Sequence, residues 1–206
     1  MRIGIYGGSF NPVHNGHIHL ARAAADEFSL DRVYLVPSRI SPHRSMSEYV
    51  SGEERLAMLR LACRCDERLS VSDFELSTDR VSYTVYTVEH FREKYPDAEL
   101  FLLVGSDMLM CFESWYNYRD ILAETNLCVV SRYDGDRGEL EKMAEKLSEY
   151  GRVFISRSEP LELSSTEIRK KIAKNENYAC YLDENVVQYI RSKGLYHAAS
   201  VIPSEQ

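Results

Sequence analysis

Two histidines three residues apart, His14 and His17, sit in the stretch Gly7-Gly8-Ser9-Phe10-Asn11-Pro12-Val13-His14-Asn15-Gly16-His17. A helical turn between them places both imidazoles on one side. From there they can donate hydrogen bonds to an anion and stabilise charge that grows in a transition state. Gly7 and Gly8 let the backbone turn and a ligand approach without a side chain in the way. Ser9 and Asn11 can fix the loop by hydrogen bonding to nearby backbone groups, and Pro12 stiffens it. Gly16 leaves room beside a helix start. Other uses stand beside this one. A histidine pair is more often structural than catalytic. His14, His17 and His19 also form a candidate metal cluster, although no Cys or carboxylate lies beside them at ligand-like spacing. The stretch lacks the Gly-Lys-Ser/Thr of a Walker loop and the G-x-G-x-x-G spacing of a dinucleotide fingerprint.

The flanking residues say how such a loop is held. Ile3-Gly4-Ile5-Tyr6 reads as a buried strand, and Leu20, Ala24 and Phe28 recur at helical spacing after the loop. This is a strand-to-helix connection of an α/β unit, whose strand end and helix start face the ligand crevice. The free N–H groups and positive dipole end of the helix suit phosphate. Arg32-Val33-Tyr34-Leu35-Val36 is a second strand, ended by Pro37, so the unit is βαβ with parallel pairing and a right-handed crossover. Ser38 to Ser45 follows, carrying Arg39, His43 and Arg44. Its composition is that of a solvated loop; its position past a strand end favours a phosphate-facing role.

Further on, Ser51-Gly52-Glu53-Glu54 is a capping box that opens a helix with Leu56, Leu59, Ala62 and Cys63 inward. Leu69 to Ser72 alternates like a short strand, and Phe74 to Arg80 is polar and irregular. Ser82-Tyr83-Thr84 opens a helix with Thr84, Val88, Phe91 and Tyr95 on one stripe, a stripe suited to core packing. Leu100 to Val104 is the most apolar strand and is expected at the centre of the sheet. Gly105 at its end permits close ligand approach. Asp107 can accept hydrogen bonds from a ribose, cap the helix 108–112, or do both. Trp115, the one tryptophan, is a packing residue or a stacking face. Leu127 to Val130 is a strand that leads to Arg132; Glu139 to Tyr150 is an amphipathic helix with Leu140, Met143, Ala144 and Leu147 inward; Val153 to Ile155 is a last short strand. Ser164 to Glu167 reads as another capping box, with Ile168 and Ile172 packing inward. That helix start gathers Ser165, Thr166 and Arg169, hydroxyls and a guanidinium fork suited to the β- and γ-phosphates of a triphosphate. Asp183 caps Glu184 to Lys193, which Gly194 ends.

The 206 residues suit a single domain, 1–206, with a loose tail over 198–206. A formal net charge of −7 argues against a general nucleic-acid or membrane-surface binder, while leaving room for a local basic pocket. Five scattered cysteines without a C-x-x-C pair fit a reducing cytoplasm. No signal peptide precedes the first strand and no apolar run is long enough to span a membrane, so the expected location is cytoplasmic.

Gly8-Ser9-Phe10-Asn11-Pro12-Val13-His14-Asn15-Gly16-His17 resembles the G-x-F-[DN]-P-x-H-x-G-H signature of the nucleotidyltransferase superfamily. Further pieces narrow the resemblance to the bacterial nicotinate-nucleotide adenylyltransferases. They are Val36-Pro37 with Ser41-Pro42-His43-Arg44, Ser82-Tyr83-Thr84, Gly105-Ser106-Asp107, Trp115-Tyr116, Arg132, Ser164 to Arg169, and Tyr189-Ile190 with Gly194-Leu195-Tyr196. Their order and spacing run along nearly the whole chain. The resemblance implies a Rossmann-like, doubly wound α/β fold: a mainly parallel sheet with helices on both faces and a small helical C-terminal region. It implies adenylyl transfer from ATP to nicotinate mononucleotide, giving deamido-NAD and pyrophosphate in NAD biosynthesis.

The same resemblance implies residue roles. His14, His17 and Arg169 are the implied catalytic groups. Gly8, Ser9, Phe10, His14, His17, Gly105, Asp107, Ser165, Thr166 and Arg169 would bind ATP. His43, Arg44, Thr84, Trp115, Tyr116 and Arg132 would bind the mononucleotide, with Trp115 stacked on the pyridine ring and backbone groups near Thr84 and Tyr116 receiving its carboxylate. Mg²⁺ would be carried mainly by the ATP phosphates, with no protein metal cluster. The partners would be small-molecule substrates, with a homo-oligomer a possible assembly. The sequence departs from the family in Asn11, where Asp is common, in Arg44, where Lys is frequent, and in Ser41, where a proline is often seen. Three rivals remain at this point: nicotinamide mononucleotide as acceptor, a nucleotide-binding regulator without catalysis, and a zinc hydrolase using His14, His17 and His19.

Overall fold

The apolar run that precedes the histidine loop forms β1 (Arg2–Gly8), and its alternation decides how the molecule is layered. Ile3 and Ile5 point to one face of the sheet and Tyr6 to the other, and all three are buried. β4 (Glu99–Gly105) repeats the pattern, with Leu100, Leu102 and Val104 on the first face and Phe101 and Leu103 on the second. A strand buried on both faces reads as a near-continuous apolar run, which is why neither strand shows a polar face. Each fully buried Leu, Ile or Phe contributes about 1.5–3 kcal/mol of transfer free energy.

The computed structural model describes residues 1–39, 50–130, 137–158 and 161–197. His43, Arg44 and Arg132, with the proposed tail 198–206, lie outside the described residues. Six strands form one parallel sheet: β1, β2 (Arg32–Pro37), β3 (Leu69–Val71), β4, β5 (Asn126–Val130) and β6 (Val153–Ile155). Their order is β3-β2-β1-β4-β5-β6, with Ile3 opposite Leu100 on one side of β1 and Gly4 opposite Val33 on the other. The winding reverses between β1 and β4. At that point the connections leave to opposite faces and open a crevice at the carboxyl ends of the strands.

One face is covered by α1 (Asn15–Glu27), α2 (Gly52–Ala62), α7 (Ser165–Ala173) and α8 (Glu184–Lys193), through Leu20, Ala24, Met58, Ile168, Ile172, Val186 and Ile190. The other face is covered by α3 (Thr84–Lys94), α4 (Ser106–Met110), α5 (Tyr118–Glu124) and α6 (Arg137–Leu147), through Val88, Phe91, Leu109, Ile121, Leu140 and Leu147. The doubly wound α/β reading of the sequence holds, and the helices α7 and α8 form its C-terminal part.

Local signals account for most element ends. The Ser51 hydroxyl accepts from the Glu54 N–H at 3.2 Å, and the Glu54 carboxylate takes the Ser51 N–H at 3.1 Å, so the capping box forms. Asp183 accepts from the Asn185 N–H at 2.9 Å, and Gly194 closes α8 in the left-handed region at φ 60°. Two expectations are corrected and one helix was not foreseen. The inner face of α2 is Arg55, Met58, Leu59 and Ala62, with Leu56 only half-buried. The helix is turned that way because the Arg55 guanidinium reaches inward to the Ser9 carbonyl at 2.9 Å. α3 buries Val85, Thr87, Val88 and Phe91, leaving Thr84 and Tyr95 half-exposed at its ends. α5 was not legible as a helix: it is one short piece, entered through Asn117 in the left-handed region, and it buries Ile121 and Leu122.

Candidate active site

At the carboxyl ends of β1, β4 and β5 the crevice widens into a cavity of about 1080 Å³. Small-molecule sites commonly span about 300–1,000 Å³, so this one has room for a large ligand or two smaller ones. Gly7 and Gly8 of β1, Val104 and Gly105 of β4, and Val130 of β5 form its floor. A Cβ added at Gly7 meets nothing within 4 Å, which marks the open side of the strand end.

His14 and His17 stand at one end of this cavity. His14 is the N-cap of α1 and only 6% exposed. Its ring stacks on that of His17 with centroids 3.6 Å apart, so the spacing does bring the two imidazoles together. The His17 Nδ1 accepts the His14 backbone N–H at 3.2 Å. That bond fixes the tautomer: a neutral His17 then carries its proton on Nε2, leaving Nε2–H as the donor. No acidic residue occupies the first turn of α1, so its positive end is unopposed.

Phe10 has a different place from the one the resemblance implies. It is fully buried, in the left-handed region at φ 45°, and does not line the cavity. Its ring lies under Gly8, where an added Cβ would sit 3.0 Å from it, and meets the edge of His17 with centroids 5.0 Å apart. Phe10 therefore supports His17 from below. Gly16 does the same for His14: a Cβ there would fall 3.1 Å from His14 Nδ1 and 3.3 Å from the Leu161 carbonyl. Gly16→Ala is expected to displace the His14 ring and cut turnover by about tenfold, with a smaller loss of thermal stability from the crowding against the Leu161 carbonyl. Turnover of the purified variant beside its melting curve checks this.

The loop between the two glycines and α1 is gripped from far along the chain. Arg169 Nη1 donates to the Asn11 carbonyl at 2.9 Å, and its Nη2 approaches the Thr166 hydroxyl at 3.4 Å. The Ser165 hydroxyl donates to the Pro12 carbonyl at 2.9 Å. Asn11 Oδ1 accepts from the Tyr196 hydroxyl at 2.9 Å and from the Val50 N–H at 3.4 Å. So Asn11 is fixed by remote groups, where the sequence had suggested nearby backbone. Arg169 lies behind the loop and does not line the cavity, whereas Ser165 and Thr166 do. The capping box expected at Ser164 does not form. The helix start is tied down by Ser165, and the Glu167 carboxylate turns to Lys170 at 2.7 Å. The Lys170 hydrogen bond also holds that carboxyl below its usual range.

Asp107 lines the cavity, but Gly105 is the N-cap of α4, so the capping role considered for Asp107 is not taken. Arg39 is likewise corrected. Its guanidinium binds the Thr78 carbonyl and pairs with Asp79, which anchors the loop before α3 instead of facing the cavity. Ser38, one residue earlier, does line it.

The far end of the cavity is aromatic. Thr84 opens α3 there, and Tyr83 and Tyr116 pack with centroids 4.9 Å apart. Trp115 packs on Phe112 at 4.8 Å and borders the cavity as well, so packing does not remove it from the site. The first N–H groups of a helix lack intrahelical partners, and no side chain caps the start of α3. Sequence reasoning missed Glu75 and Lys171, both of which line the cavity. The available signal for Glu75 was a carboxylate flanked by Phe74 and Leu76 in a stretch otherwise read as polar and irregular. Among the described residues no three His, Cys, Asp or Glu side chains are grouped to hold a metal ion. His14 and His17 stack face to face with one nitrogen committed to the backbone, which disfavours the zinc alternative.

Fold and site together define a class. Residues 5–171 match the family model described as Cytidylyltransferase-like, and the chain belongs to that family of nucleotide-transferring enzymes. A protein of Neisseria meningitidis serogroup C named "Probable nicotinate-nucleotide adenylyltransferase" is 38% identical over 200 residues, covering 95% of this chain and 98% of that protein. One of the same name from Desulfatibacillum aliphaticivorans is 33% identical, covering 95% of this chain and all of its own length, 100%. Within the class, the chain belongs to the nicotinate-nucleotide adenylyltransferase family. A solved structure of "Plasmodium falciparum nicotinic acid mononucleotide adenylyltransferase complexed with NaAD" matches with a TM-score of 0.77 at 20% identity, over 95% of this chain and 97% of that one. At that identity the likeness is one of fold. No helix among the described residues is long and apolar enough to cross a membrane.

Proposed function

We propose that this chain transfers the adenylyl group of ATP to nicotinate mononucleotide, forming deamido-NAD and pyrophosphate. The observation that carries the proposal is full-length identity of 33–38% to nicotinate-nucleotide adenylyltransferases, on a chain whose cavity has one donor-rich end and one aromatic end. An oxygen of the mononucleotide phosphate attacks the α-phosphorus of ATP. The bond from that phosphorus to the bridging oxygen breaks, and pyrophosphate leaves. The attacking phosphate is already anionic near neutral pH, so no strong general base is required. Catalysis then rests on positioning and on charge stabilisation.

The placement of these residues supports the following roles. His17 Nε2–H and the start of α1 face the α-phosphate, with His14 beside them. Ser165, Thr166 and Lys171 face the β- and γ-phosphates. Gly105 and Asp107 take the adenosine side. Trp115 offers its ring to the pyridine. Backbone N–H groups near Thr84 and Tyr116 receive the carboxylate; an amide in the same position brings its own hydrogens against those donors. The cavity end assigned to the phosphates is rich in donors, which suits a polyanion that would bring its own Mg²⁺. That ion, when bound, neutralises triphosphate charge.

The test is pyrophosphate release from ATP and Mg²⁺ with nicotinate or nicotinamide mononucleotide in parallel. A preference of about 10²-fold or more for the acid is expected, the size set by leaving buried donors facing the wrong group. Equal rates would remove the assignment of the carboxylate to Thr84 and Tyr116. No release with either acceptor would point to a nucleotide-binding protein that has lost the reaction.

A further inference from the structure

Among the described residues Glu75 is the one buried carboxylate, 7% exposed, and it borders the cavity at its aromatic end. A buried carboxyl persists when donors converge on it. Here the Thr87 hydroxyl, on the first turn of α3, donates to Glu75 Oε1 at 2.6 Å. The Ser82 hydroxyl is the next polar neighbour and also draws the carboxyl down. Ser82 Oγ in turn accepts the Arg39 backbone N–H at 3.0 Å, so its own hydrogen is available to Glu75. The Arg39 N–H, the Ser82 hydroxyl, Glu75 and the Thr87 hydroxyl are thus gathered at one place. The Arg39 guanidinium braces the same place from outside through Thr78 and Asp79.

We propose that Glu75 is a positioning residue for acceptor selectivity: by holding Ser82 and Thr87 together it sets where the N–H groups at the start of α3 point. This rests on the adenylyl-transfer reading above, in which those groups receive the pyridine carboxylate. Tyr83 and Thr84 lie between the two hydroxyls that Glu75 holds, and no side chain caps this helix start. Its donors are therefore aimed by the turn alone. Burial pushes the Glu75 carboxyl up, while the hydroxyls and the charge of Arg55 draw it back, so the site has been built to keep this group in place. A glutamine offers one acceptor oxygen and one amide NH₂ donor. Against two hydroxyls, it satisfies Thr87 and turns hydrogens towards Ser82.

The test uses the full-length enzyme, Glu75→Gln and Thr87→Val, the latter nearly isosteric and lacking only the hydroxyl. Pyrophosphate release is measured with each mononucleotide varied at saturating ATP, and with ATP varied at saturating nicotinate mononucleotide. The expected result is a KM for nicotinate mononucleotide raised about tenfold and an acid-to-amide ratio of kcat/KM lowered about tenfold, with the KM for ATP within about twofold. Equal rises in both KM values, or an unchanged acid-to-amide ratio, overturn the proposal. A fold-only role for Glu75 would lower the melting temperature without this split. If Glu75→Gln fails to fold, Thr87→Val alone decides by the same ratio. A parent enzyme with no preference for the acid removes the carboxylate assignment on which this proposal rests, one with no release from either acceptor removes the functional reading itself, and both are seen before any variant is made.

Discussion

Replacing His17 with alanine is expected to lower kcat by about 10²–10³-fold, the loss typical of removing one preorganised donor from a developing oxyanion. The geometry says which atom matters. Nδ1 is already committed to the His14 N–H, so the group facing the cavity is Nε2–H. Phe10 and Tyr6 pack beneath the ring at centroid distances of 5.0 and 6.2 Å, and His14 stacks on it. A donor held this way needs no reorganisation as charge develops. Alanine also removes the cap on His14, at a cost of about 1 kcal/mol. A lower melting temperature is thus expected in His17→Ala for a reason unrelated to chemistry. His17→Asn separates the two effects. Its Oδ1 stands where Nδ1 stood and can accept the same N–H, while nothing replaces Nε2. Asparagine should keep the stability of the parent and the turnover of alanine, read by thermal melting and by pyrophosphate release at saturating substrates. A His17→Asn enzyme with near-parental turnover would sink the assignment of Nε2 as donor.

The residues that the sequence made legible are those whose signal is local. β1 and β4 announce themselves by a continuous apolar run on a strand buried on both faces, and the two helix caps at Ser51 and Asp183 form as their spacing predicts. His14 and His17 were legible for the same reason, since three residues of helix must bring them together. What stayed hidden depends on partners far along the chain. Ser164 begins a sequence that fits a capping box, yet nothing local reveals that Ser165 will be taken by Pro12, 153 residues away. The inward turn of Arg55 is set by the Ser9 carbonyl, across 46 residues. Glu75 was not singled out because its donor Thr87 belongs to the next helix start. In each case a side chain with strong local preferences was claimed by a buried polar group that had to be satisfied. His43, Arg44 and Arg132 lie outside the described residues, so their expected roles at the mononucleotide stay expectations.

Arg169 carries the second large effect, and its position argues for how the effect arises. The resemblance implies a guanidinium on the triphosphate, but Arg169 sits behind the loop with Nη1 on the Asn11 carbonyl and Nη2 near Thr166. Asn11 is 1% exposed and is held from the other side by Tyr196, whose own hydroxyl burial drives far up the scale. Asn11 is therefore clamped between the start of α7 and the C-terminal segment, three residues before His14. Arg169→Ala is expected to lower kcat/KM by about 10²-fold, the cost of letting reacting groups drift by about 1 Å. Arg169→Lys should recover only part of this. A lysine can reach one of the two oxygens but lacks the fork that spans both. The kinetic split then distinguishes clamp from phosphate ligand. If Arg169 acts through the loop, kcat falls while the KM for ATP changes little, and Tyr196→Phe, which loosens Asn11 from its far side, lowers kcat in the same direction by a smaller factor. If Arg169 grips the triphosphate directly, the KM for ATP rises and Tyr196→Phe is silent. Parental kcat/KM in Arg169→Ala would show that the loop keeps its shape without this guanidinium, and that Ser165 and Tyr196 are clamp enough.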